Sequence, residues 1–70
     1  MYTIIEIQTN AEGHTSLITT EKEGRLEAES AWHTAMAYAA ISSVPIHSVK
    51  MINENQTEVL SGIYDHRGVD

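Results

Sequence analysis

Seventy residues with a net charge of −6 and no cysteine make one small domain and exclude disulfide staples and cysteine-based zinc sites. The only fixed cations, Lys22, Arg25, Lys50 and Arg67, are scattered along the chain, which excludes a basic footprint for duplex nucleic acid. Apolar runs stay far below the roughly 20 residues that span a bilayer, and no basic leader segment precedes the first strand-like run. No membrane association is expected, and the expected location is the cytoplasm.

Tyr2-Thr3-Ile4-Ile5-Glu6-Ile7-Gln8-Thr9 is rich in β-branched residues and reads as a strand. Asn10-Ala11-Glu12-Gly13 is a turn, and His14 to Thr20 returns as a second strand, which completes a hairpin. Glu21 to Gly24 is a polar connection. A helix then runs from about Arg25 to Ser43, with Glu27 and Glu29 near its positive end, and Pro45 closes it. Ile46 to Ile52 forms a third strand, Asn53 to Gln56 turns the chain, and Thr57 to Tyr64 forms a fourth. Residues 65–70 read as a loose tail. The fold class is therefore α+β, ββαββ: a four-stranded antiparallel sheet with one helix on one face, in a single domain.

The helix is apolar at almost every position from Ala31 to Ile41, interrupted only by His33 and Thr34. At 100° per residue, Ala28, Trp32, Ala35 and Ala39 share one line, with Ala31, Met36 and Ser43 beside it. This stripe is expected on the sheet. Ser30, His33, Thr34, Ala37 and Ile41 occupy the back, with no formal charge past Glu29. The strands are apolar on both faces as well. Ile5 and Ile7 oppose Tyr2 and Ile4; Val49 and Met51 oppose Ile46 and Ile52; Val59 and Ile63 oppose Leu60 and Tyr64. One helix covers only one face of a sheet, so the pattern points to a second cover, most simply another copy of the chain. A homo-oligomer is expected.

Candidate site residues are few. His33 lies one helical turn from Glu29, the i,i+4 spacing that brings side chains together. The pair would orient the imidazole or form a polar contact in a subunit interface. The same two residues with His47 have the donor types of a metal site, but no ligand signature supports one, and neither metal nor other cofactor is expected. Tyr64-Asp65-His66-Arg67 offers an aromatic face, an imidazole and a guanidinium, groups suited to a base and a phosphate. No strained serine elbow or phosphate-binding glycine loop is present, so no enzyme is expected.

The chain resembles a group of short proteins encoded by phages and prophages of Firmicutes. The likeness rests on "YTIIEIQTN", on "EAESAWHTAMAYAAISSVPIHS", and on a last strand ending in Tyr64 and His66. Glu29, Ser30, His33, Pro45, His47, Tyr64 and His66 match its pattern. The resemblance implies a viral origin and no particular reaction. Taken with the residues, it leads to an expected binding protein in the host cytoplasm. The expected ligand is an anionic, nucleotide-like molecule of host defence at a subunit junction, held by His33, His47, Tyr64, His66, Arg67 and Glu29. The alternatives are an acidic inhibitor of a host protein and a phage assembly component.

Overall fold

The computed structural model describes residues 1–67. Its elements are β1 (Tyr2–Thr9), β2 (Thr15–Lys22), α1 (Arg25–Ala40), β3 (Ile46–Ile52) and β4 (Glu58–Asp65). They form one antiparallel sheet in the order β2-β1-β3-β4 with α1 against one face, the ββαββ arrangement expected from the sequence. Among the described residues no helix is long and apolar enough to cross a membrane.

The two hairpins close with one device. The Asn10 side-chain oxygen accepts from the N–H groups of Glu12 at 3.0 Å and His14 at 2.9 Å. Asn53 does the same for Asn55 and Thr57, at 2.9 and 3.0 Å. The fourth loop residue takes a left-handed conformation in both, Gly13 at φ 85° and Gln56 at φ 63°. Glycine adopts it freely, whereas Gln56 carries steric strain. A short polar side chain that imitates a backbone turn thus sets the register of each strand pair.

The core lies between α1 and the two central strands. Ile4 of β1 and Val49 and Met51 of β3 are buried beneath Ala28, Ala35 and Ala39 of the helix. The three alanines let the helix backbone approach the sheet closely. Trp32 and Met36 reach over β4, where Gly62 makes room for them. A Cβ at Gly62 would stand 2.8 Å from the Met36 sulfur and 3.3 Å from the Trp32 ring. The indole N–H of Trp32 donates to the Val49 carbonyl at 3.0 Å and satisfies the ring's one polar group.

Five boundaries differ from the sequence reading; two are the starts of β2 at Thr15 and of β4 at Glu58, each one residue later. β2 continues to Lys22 because Tyr2 and Thr3 stand opposite Lys22 and Glu21 in the ladder. α1 ends at Ala40 rather than Ser43. Ile41 leaves helical geometry at φ −108° and ψ 8°, and the Ser42 hydroxyl accepts from the N–H of Val44 at 3.1 Å. The tail expected from residue 65 begins later. Asp65 belongs to β4, and the His66 N–H donates to the Pro45 carbonyl at 2.7 Å, one step beyond the β3–β4 ladder. The rest of that expected tail, residues 68–70, lies outside the described residues.

Among the described residues nothing covers the face away from α1. The β-ladders place Leu17, Ile7, Ser48 and Ile63 in one row across the sheet, with Ile5 and Ile46 in the flanking rows. Leu17 and Ile63 are each 64% exposed. The back of α1 is open too, with Leu26, Ala37, Tyr38 and Ile41 exposed.

Candidate functional site

Polar side chains gather where the apolar pattern of the covered sheet face stops. Along β1 that face carries Ile4, Glu6 and Gln8 in turn, and the ladders set Gln8, His47 and Tyr64 side by side. This row lies at the C-terminal end of α1. His47 is only 3% exposed. Its Nε2 lies 3.3 Å from Oε1 of Glu6, on the neighbouring strand and one step along. An ionised carboxylate only accepts, so the imidazole donates through Nε2. The other ring nitrogen, Nδ1, is buried with no partner among the described residues. A buried polar atom left this way costs on the order of 1–3 kcal/mol, and the Glu6 contact offsets part of that.

His66 ties the end of β4 to the helix. Its Nε2 lies 3.0 Å from the carbonyl oxygen of Ala39, which fixes the proton on that nitrogen. An imidazole is well placed there, because the last carbonyls of a helix carry partial negative charge. Tyr64 packs parallel to the His66 ring, with centroids 5.9 Å apart and planes 6° apart. The aromatic face of Tyr64 is thus occupied on one side by its own neighbour.

Arg67 is held by Asp65 through two side-chain bonds, Nε to Oδ1 at 2.9 Å and an Nη to Oδ2 at 2.7 Å. Hydrogen bonds from Arg67 lower the Asp65 carboxyl to about 2, and the same partner raises the arginine. Two donors of the guanidinium are taken by Asp65, and the rest have no side-chain partner among the described residues. Arg67 borders a cleft of about 360 Å³ with Thr9, Asn10, Ala11, Gly13, Pro45 and Ile46. Thr9 and Ile46 belong to the uncovered sheet face, so the cleft opens at the edge of that apolar surface.

The structure therefore brings together His47, Tyr64 and His66 and separates them from the rest of the expected set. Glu29 pairs with Arg25 at 3.3 Å, one turn toward the helix start, rather than with His33. His33 is exposed, and its ring meets the Trp32 ring edge-on at 5.0 Å. Among the described residues no three His, Cys, Asp or Glu side chains converge as metal ligands. The sequence reading missed Glu6 and Gln8. Their signal was present: both share the parity of buried Ile4, and a carboxylate there marks where the apolar pattern of the covered face stops. No known protein family, curated protein or solved structure matches the chain.

Proposed function

We propose that this chain is a non-enzymatic binding protein that assembles with copies of itself through the uncovered sheet face and holds an anionic, nucleotide-like molecule beside that junction. The observation that carries the reading is the apolar row across the open face, in which Leu17 and Ile63 are exposed and Ile7, like its neighbours Ile5 and Ile46, is half-buried. A 70-residue domain has little core of its own, and a second copy on this face adds apolar burial to it. The cleft beside Arg67 lies at the rim of the same face. The guanidinium donors not bonded to Asp65 suit a phosphate, and Asn10 adds polar capacity.

The employment of the histidines supports binding over catalysis. His47 is committed to Glu6 and His66 to the helix end, so two of the four imidazoles serve the fold. The ligand contacts in this reading come from Arg67 and the cleft, with buried His47 as support beneath. In the phage setting that the sequence resemblance suggests, such a protein counters host defence by sequestering a signal molecule. The net charge of −6 favours one rival, an acidic inhibitor that docks on a basic host protein.

Sedimentation at micromolar concentration, with calorimetry against cyclic and linear nucleotides for the wild type and Arg67→Ala, tests the proposal. Assembly with a nucleotide heat lost in Arg67→Ala supports it. A monomer overturns the assembly. No heat with any nucleotide, together with salt-sensitive capture of a host protein, favours the rival.

A further inference from the structure

β2 is an edge strand with no further strand beside it among the described residues, and residues Thr15 to Glu21 are all exposed. Which of its backbone groups are unpaired follows from the turn. The Asn10 N–H donates to the His14 carbonyl at 2.9 Å, and the ladder then runs unbroken through eight pairs. Backbone groups alternate in direction along an antiparallel strand. His14, Ser16, Ile18, Thr20 and Lys22 therefore face β1, while Thr15, Leu17, Thr19 and Glu21 aim their N–H and C=O groups outward.

Natural sheet edges are commonly blunted by proline, bulges or charge. The edge formed by β4 has such features. Its register shifts beside Ile52, Glu58 and Asp65 stand at its two ends, and Gly62 lies in its middle. β2 has no proline, glycine or bulge, and no formal charge from His14 to Thr20. It also shows an apolar side chain on each face, Leu17 at 64% and Ile18 at 47% exposure.

We infer that β2 pairs antiparallel with β2 of a second copy, across a two-fold axis at Ile18. The register follows from parity. The outward residues are all odd-numbered, so a symmetric pairing that uses the whole strand sets Leu17 against the partner's Thr19 and Thr15 against the partner's Glu21. These four hydrogen-bonded pairs exchange about eight backbone bonds. Ile18 then meets the partner's Ile18 at a non-hydrogen-bonded position, where side chains approach most closely. Lys22 falls opposite the partner's His14, and no carboxylate faces a carboxylate.

The product is an eight-stranded sheet with both helices on the same side. On each copy a groove of about 490 Å³ runs between β2 and α1, lined by Lys22, Leu26, Glu27, Ser30 and Ala31. The two-fold sets the two grooves at opposite ends of the paired strands, and each, at the Lys22 end of β2, gains a second wall from the His14 end of the partner's β2. This inference rests on the reading that the chain self-assembles, and it names an interface separate from the uncovered sheet face.

The absence of cysteine permits a direct test. Ile18→Cys places two thiols at a strand separation that a disulfide spans, and Glu54→Cys, in the exposed β3–β4 turn away from both interfaces, serves as control. Under mild oxidation, Ile18→Cys should form a linked dimer at least tenfold faster than Glu54→Cys. Ile18→Lys should halve the sedimenting mass and leave the circular dichroism unchanged, because this side chain is half open in the single chain. Equal cross-linking rates, or a wild-type mass for Ile18→Lys, overturn the edge pairing while leaving assembly through the sheet face intact. A monomeric wild type overturns both.

Discussion

Ile63→Ala separates burial within the chain from burial between chains. Fully burying an isoleucine side chain contributes about 1.5–3 kcal/mol. Ile63 is 64% exposed in the single chain, so about one third of that contribution, roughly 0.5–1 kcal/mol, is realised internally. Lower strand propensity adds up to about 1 kcal/mol. The variant should therefore lose less than about 2 kcal/mol in urea melts run at concentrations where the protein is monomeric. Where copies stack through the open face, the remaining two thirds is at stake. That amounts to about 1–2 kcal/mol per chain and 2–4 kcal/mol per two-fold pair, which weakens association roughly 30- to 1,000-fold. Sedimentation equilibrium over a range of concentrations measures this directly. An unchanged association constant refutes burial of this face. A loss above about 3 kcal/mol in the monomer would show that Ile63 is far better packed than its exposure implies.

Met51→Ala should remove about 2–5 kcal/mol, because Met51 is fully buried under the helix and its truncation leaves a cavity; chemical denaturation reads the shift. Glu6→Ala should cost on the order of 1–3 kcal/mol by stripping buried His47 of its partner, and Glu6→Gln, which can still accept from Nε2, should recover most of it. Gln56→Gly should stabilise by about 0.5–1 kcal/mol, since relief of a left-handed strain of roughly 1–2 kcal/mol exceeds glycine's entropic cost; an unchanged or lower midpoint contradicts the strain at Gln56. Asp65 should titrate by NMR near 2 in the wild type and return toward 3.8 in Arg67→Ala. Because the folded value is the lower one, its stabilising effect is present above the unfolded carboxylate range and fades as pH falls from 3.8 toward 2.

The elements and their faces were legible in the sequence because both depend on local periodicity. Alternation along residues 2–9 separated Ile4 from Ile5 and Ile7, and the structure buries Ile4 while the latter two lie on the open face. The stripe of Ala28, Trp32, Ala35 and Ala39 is the one that packs on the sheet. Turn chemistry at Asn10 and Asn53 is equally local and placed both hairpins. Tertiary structure alone decided the strand order, which sets β1 beside β3 and leaves β2 and β4 as edges. It also decided the partners of the polar residues. Glu6 and His47 meet across 41 positions of sequence, and His66 reaches a carbonyl 27 positions away; no spacing rule reaches that far. At Glu29 the sequence reading followed the i,i+4 rule forward to His33 and passed over Arg25, which lies behind at the same spacing. The charged guanidinium is the one that the carboxylate joins. Sequence periodicity settles which side of an element is apolar, and three-dimensional packing settles which polar groups are left close enough to bind.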